Sequence, residues 1–146
     1  MEIREAKEKD LDQLNDLFDA YRVFYKQQSD KTNSREFLRA RLLNKESVIY
    51  VAEESRLLIG FVQLYPIFSS TRMNRLWLLN DLFVTENQRG KGISKLLMSE
   101  AKELAKATKS AGLILETEKA NGVGNALYKG IGFELDSEHN YYSWAE

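Results

Sequence analysis

The chain has 146 residues, 43% of them hydrophobic, which suits a single domain spanning residues 1–146 that buries roughly 68 to 70% of its unfolded surface. Cysteine is absent, which excludes disulfides, thiolate nucleophiles and cysteine-based zinc sites, and one histidine argues against a histidine-rich metal centre. A formal net charge of -1 gives no overall attraction to nucleic acid or to an anionic membrane. The first residues, Met1 to Lys7, hold no apolar signal core, and no apolar run approaches the ~18 residues of a membrane span. The expectation is a cytoplasmic protein with neither nucleic acid nor membrane as partner.

Glu2-Ile3-Arg4-Glu5-Ala6 reads as a short first strand. Asp10 with Gln13 makes a capping box, and Leu11, Leu14, Leu17, Phe18, Tyr21 and Tyr25 then share a helical stripe. Lys26 to Thr32 is a polar loop closed by a second cap, Asn33 with Glu36, ahead of a helix carrying Phe37, Leu38, Ala40 and Leu42. Phe24 and the tyrosines beside this loop either wall a substrate mouth or pack as core and rim aromatics. Ser47 to Ala52 and Leu57 to Tyr65 read as two strands joined by a polar turn, the second ended by Pro66, the only proline.

The organising stretch begins after the Ser69 to Asn74 loop. Leu76 to Val84 has the length and apolar character of a buried strand. A turn holding Arg89, Gly90, Lys91 and Gly92 follows, and apolar residues at Ile93, Leu96, Leu97, Ala101, Leu104 and Ala105 then keep helical spacing. Strand, glycine turn and helix together make an anion site. The first-turn N–H groups lack intrahelical partners, and the peptide dipoles place partial positive charge there. Gly90 and Gly92 clear side chains from the backbone, Arg89 and Lys91 add charge, and phosphate or pyrophosphate is the natural guest. Neither the P-loop nor the dinucleotide glycine pattern is present.

Ala111-Gly112 stops the helix, and Leu113 to Thr117 reads as another strand. Asn121-Gly122 opens a last helix that Gly130 and Gly132 end. Phe133 to Leu135 and Tyr141 to Trp144 then read as closing antiparallel strands about the Asp136 to Asn140 turn. The order strand, two helices, three strands, helix, strand, helix, two strands implies a mixed, mainly antiparallel α/β sheet flanked by helices.

Two stretches resemble motifs of the GCN5-related N-acetyltransferases, called GNAT. Arg89-x-x-Gly92-x-Ser94 is similar to the family's pyrophosphate motif, with Ser94 where a last Gly or Ala is usual. Asn121, Leu127-Tyr128 and Gly132-Phe133 match its closing motif. Asn80-Asp81-Leu82-Phe83-Val84 looks closest to the Hpa-type histone and polyamine acetyltransferases, and more loosely to spermidine/spermine acetyltransferases.

The resemblance implies acetyl-CoA as acetyl donor, no metal, and direct transfer to a primary amine: a polyamine, a lysine side chain or another small molecule. Backbone groups of Leu82, Phe83 and Val84 are expected to hold the pantetheine arm and acetyl carbonyl. The amides of Arg89, Gly90, Lys91, Gly92, Ile93, Ser94 and Lys95 are expected to hold the pyrophosphate. Asn121 is expected to contact the cofactor, and Tyr128 to protonate the departing thiolate. A homodimer through the C-terminal strands is a further family expectation.

A phenol near the sulfur suits a general acid, and a fixed backbone N–H suits the oxyanion of the tetrahedral transition state. The amine's proton needs a base, because a free amine titrates near ~10.4. Asn80 stands where the spermidine/spermine enzymes have a glutamate, so a water-mediated route through Asn80 is the first reading. Asp81 is adjacent but, by strand alternation, points to the opposite face unless a bulge turns it. Glu116 and His139 are weaker candidates for the base. The rival reading of the chain is a non-catalytic acyl-CoA-binding sensor, which would keep the glycine turn and have no use for Tyr128.

Overall fold

A computed structural model describes all residues, 1–146, in two compact units, Met1–Glu116 and Thr117–Glu146. The first unit holds a five-stranded sheet in the order β1-β2-β3-β4-β5. Its strands are β1 (Glu2–Glu5), β2 (Val48–Glu54), β3 (Leu57–Ser69), β4 (Asn74–Val84) and β5 (Leu113–Ile114). The first four meander antiparallel, and only β5 is parallel to its neighbour. The helix α3 (Ile93–Ala107) makes the crossover that this parallel pair requires. The helices α1 (Leu11–Phe24) and α2 (Lys31–Leu43) fill the gap between β1 and β2.

Strand alternation sorts the helices onto two faces. Phe61 of β3 stacks edge-on against Phe18 and Tyr21 of α1. On the other face, its neighbour Gly60 lies so close to β4 and α3 that an added Cβ would sit 2.9 Å from the Phe83 carbonyl oxygen and 3.4 Å from a Leu97 methyl. One face therefore packs α1 and the other α3. The α1 face holds one apolar cluster, with Leu14, Leu17, Leu38, Ile49, Val51 and Phe61 all buried. Arg4 pins the sheet edge, donating to both Asp10 and Glu53 at 2.6–2.8 Å.

The α/β class and element order follow the sequence up to the last helix, α4 (Gly122–Gly130), with four local differences. α2 begins at Lys31, capped by the Asp30 carboxylate, which accepts from the Asn33 N–H at 3.1 Å, in place of the Asn33–Glu36 cap. The Asp10 carboxylate makes no bond to the α1 end and instead accepts from the Lys7 N–H and from Arg4. β3 runs through Pro66 to Ser69, because the β2 ladder stops at Leu64 and leaves the proline on an edge.

The fourth difference concerns the C-terminus. The closing strands at Phe133 to Leu135 and Tyr141 to Trp144 are not formed. Alternating apolar residues make a strand only where a ladder partner exists, and a lone hairpin is marginal in water. Here Asp136 instead folds the turn locally, accepting from the N–H groups of Glu138 and His139, and Leu135, Tyr141, Tyr142 and Trp144 stay exposed. No helix is long and apolar enough to cross a membrane.

Candidate active site

The β3–β4 ladder contains an irregularity that decides the site. Leu64 pairs with Leu79, but Gln63 pairs with Asp81, so Asn80 is an extra residue in β4. Before the bulge, Trp77 faces α3, where its indole N–H donates to Thr108 Oγ1 at 2.9 Å. Beyond it the parity reverses. Phe83 stacks against Tyr21 of α1, and Asp81, two residues away and opposite Gln63, shares that face. The bulge thus brings the consecutive side chains of Asn80 and Asp81 together, with Asn80 Nδ2 donating to Asp81 Oδ1 at 2.9 Å. Simple alternation would have separated them.

Asp81 is only 3% exposed. Burial pushes its carboxyl above the usual carboxylate range, and hydrogen bonds from Gln63, Asn80 and Tyr21 counter part of that rise. Gln63 Nε2 donates to Asp81 Oδ2 at 2.5 Å, and Ser47 Oγ donates to Gln63 Oε1 at 2.8 Å. The Tyr21 hydroxyl donates to the Asn80 carbonyl at 3.3 Å. The Tyr65 phenol is pushed up to about 12 by burial and by the Asp81 charge. Sequence reasoning missed Gln63, although a lone amide inside the apolar run Leu57 to Tyr65 is itself a signal. A buried amide needs partners for both of its ends.

β4 also carries an open edge. Its ladder with β5 ends at Leu78, so Leu79 to Val84 have β3 on one side and no strand on the other. Alternate backbone groups of Leu82, Phe83 and Val84 therefore point away from β3 and are placed to bind an extended ligand. The Val84 carbonyl is already used, accepting from Arg89 Nε at 2.9 Å.

The glycine turn follows. Gly90 and Gly92 have φ of 78° and 80°, a left-handed backbone that favours glycine, with open space where a side chain would be. The first backbone bond of α3 runs from the Leu96 N–H to the Gly92 carbonyl, leaving the preceding amides directed out of the helix end. The Arg89 N–H is donated to Glu86, so the open amides begin at Gly90. The two basic side chains of the turn have partners of their own. Arg89 spans Phe24 and Phe83 at 5.3 and 5.5 Å, and Lys91 Nζ donates to Gln88 Oε1 at 2.6 Å. The helix end itself, with its outward amides, is the feature here that suits an anion.

In the second unit, Asn121 caps α4. Its Oδ1 accepts from the Gly124 N–H at 3.1 Å and its Nδ2 donates to Thr117 Oγ1 at 3.0 Å. Gly124 leaves room for this cap, since a Cβ there would lie 2.5 Å from Asn121 Nδ2 and displace the amide. Tyr128 lies later on α4, with its ring 6.1 Å from that of Phe133. Of the weaker base candidates, Glu116 is exposed beyond the end of β5, and His139 is exposed with Nδ1 2.8 Å from Asp136 Oδ2.

A strand running through a glycine turn into a helix is the arrangement read from the sequence, and the free edge and the bulge are added by the structure. Residues 11–133 match the model of the acetyltransferase (GNAT) family. The chain belongs to the GNAT family. It is an acetyl-CoA-dependent acetyltransferase.

Across 142 residues the enzyme is 46% identical to an uncharacterized N-acetyltransferase, YhfO, of Bacillus subtilis, covering 97% of this chain and 95% of that one. A probable acetyltransferase of Haemophilus influenzae is 31% identical over 143 residues, covering 97% and 96%. A solved structure described as a probable acetyltransferase superposes with a TM-score of 0.94 at 40% identity, covering 100% of this chain and 98% of that one. GNAT enzymes use acetyl-CoA, and the residues present fit it. The open amides from Gly90 onward suit its pyrophosphate, and the free edge of β4 suits its pantetheine amides. The residues form no cluster of acidic, cysteine and histidine side chains arranged to hold a metal.

Proposed function

We propose that the enzyme transfers the acetyl group directly from acetyl-CoA to a primary alkylamine, of the polyamine, lysine side-chain or small-amine kind. The observation that carries this reading is the pairing of Asn80 and Asp81 on the α1 face of β4, beside the edge proposed to hold the acetyl arm. A carboxylate bonded to Tyr21, whose ring packs on Tyr25 and through it on Phe24, suits a cationic chain with an apolar stem.

In this reading the amine nitrogen bonds to the acetyl carbon as the carbon–sulfur bond breaks. The amine's proton passes through water held at Asn80 toward Asp81. Tyr128 gives its proton to the departing thiolate, and a backbone N–H among Leu82, Phe83 and Val84 meets the oxyanion. Amides from Gly90 to Lys95 hold the pyrophosphate. The absence of cysteine supports transfer without a thioester on the protein. The Hpa-like segment Asn80 to Val84 supports polyamines or lysine as acceptors. The exposed Leu135, Tyr141, Tyr142 and Trp144 support a homodimer, which light scattering tests.

The testing experiment is thiol release from acetyl-CoA against spermidine, spermine, lysine peptides, aminoglycosides and small amines. The protein contributes no thiol background. Saturable release with one class is the expected result. Calorimetric CoA binding with no turnover on any amine would instead favour an acyl-CoA-binding sensor.

A further inference from the structure

The proposed proton route explains Asn80 and Asp81 but leaves Ser47 and Gln63 without a task. Gln63 is 0% exposed and makes no contact with solvent, so it cannot touch a substrate. An amide buried inside an apolar strand is costly unless both ends are bonded, and here both are. The directions of those bonds are fixed by chemistry. An ionised carboxylate only accepts, so Gln63 must turn its Nε2 toward Asp81 and its Oε1 away. Ser47 Oγ then donates to that Oε1 and locks the amide against rotation. Asp81 Oδ1 in turn accepts from Asn80 Nδ2, which leaves Asn80 Oδ1 on the far side of its amide, on a residue that is exposed.

We propose that Gln63, locked by Ser47, is a positioning residue that turns the exposed Asn80 amide through Asp81, so that Asn80 Oδ1 accepts from an N–H of the incoming amine. This rests on the amine-acetylating reading above. The chain of bonds runs from Ser47, just before β2, through Gln63 of β3 to Asp81 and Asn80 of β4. It links a row buried at Gln63 and Asp81 to one outward acceptor. An outward carbonyl oxygen accepts from the nitrogen that is to react and leaves that nitrogen's lone pair directed elsewhere. A freely rotating amide would present its NH2 half the time.

The groups facing Asp81 are Tyr21 from α1, Gln63 and Tyr65 from β3, and Asn80 on its own strand. Arg41 and Glu46 stand behind Tyr65.

The test uses the full chain, with Asp81 followed by carboxyl 13C NMR and the Asn80 side-chain NH2 by 15N NMR. The signals are assigned by their loss in Asp81→Asn and Asn80→Asp. In the wild type, the Asn80 NH2 resonances are expected to move with the Asp81 titration. In Gln63→Leu, Asp81 is expected to titrate about one pH unit higher, because a hydrogen bond to its charged form is gone. Ser47→Ala is expected to shift it in the same direction by less, and Ser47→Thr, which keeps the hydroxyl, to restore it. The acid limb of kcat/KM should move with each of these shifts, measured with the best amine among spermidine, an N-acetyl-lysine amide and an aminoglycoside.

If Gln63→Leu does not fold, the two Ser47 variants decide alone. Asp81 and Asn80 signals that ignore both Gln63 and Ser47, while Asp81→Asn still abolishes the acid limb, would overturn the positioning role and leave the base intact. An acid limb unchanged in Asp81→Asn would overturn the base, and the positioning role with it.

Discussion

Around Gly90 and Gly92 the chain offers a ligand its backbone, whereas around Asn80 and Asp81 it offers side chains. The first region lies at the surface, where two left-handed glycines expose the end of α3, and its basic side chains are occupied elsewhere. In the second, Asp81 and Gln63 are buried with their polar atoms bonded, and Asn80 alone reaches the surface. Backbone donors serve any phosphate and tolerate changes of side chain. A side-chain row responds to every substitution and to pH. A backbone turn of this kind suits a shared cofactor, while a side-chain row suits the tuning of one reaction.

The sharpest way to break this division is Asp81→Asn. Loss of a general base costs typically 10²- to 10⁴-fold, so kcat/KM for the amine should fall at least ~100-fold. The acetyl-CoA Kd, measured by calorimetry, should stay within about twofold. An equal loss in binding would show that the two regions are one unit. Tyr128→Phe should lower kcat by about 10- to 100-fold, again with cofactor affinity kept. Unchanged turnover would remove Tyr128 from the mechanism.

Gly92→Ala probes the other side of the comparison. Its Cβ meets open space, but a left-handed residue with a side chain costs about 1–2 kcal/mol. The acetyl-CoA Kd should weaken about tenfold, and kcat at saturating cofactor should change little. If kcat fell more than affinity, the turn would be part of the chemistry.

Stability against pH gives a smaller, signed effect. The folded Asp81 carboxyl lies above its unfolded value, so its favourable contribution is complete below the ordinary carboxylate range and is lost as pH rises through the raised value. The stability of Asp81→Asn relative to wild type should therefore increase with pH across that window. The change is about 1.4 kcal/mol for each unit of upward shift, read from urea melts. Lys91→Ala should have the least effect, under about threefold on acetyl-CoA Kd, because Lys91 is exposed and tied to Gln88.

The same contrast explains what was legible before the structure. The glycine turn is read from local spacing because its function is local: the residues that bind are the residues that turn. The Asn80–Asp81 pair was visible as a pair of residues, but their facing depends on the Leu79-to-Asp81 register step, which no periodicity reports. Gln63 stands 18 residues from Asp81 and Ser47 a further 16 back, so only the strand order joins them. The C-terminal strands failed for a related reason. Alternation at Tyr141 to Trp144 states which residues would share a face, but not whether a neighbouring strand exists.

The short β5 has one more consequence. Because it pairs with β4 only at Trp77 and Leu78, β4 beyond Leu78 has no strand partner on that side, the kind of border that extended chains join and along which proteins aggregate. A cofactor lying along that border would shield it. Acetyl-CoA would then act as a guard against self-association as well as a reactant, and the enzyme would keep longest in solution when its donor is plentiful.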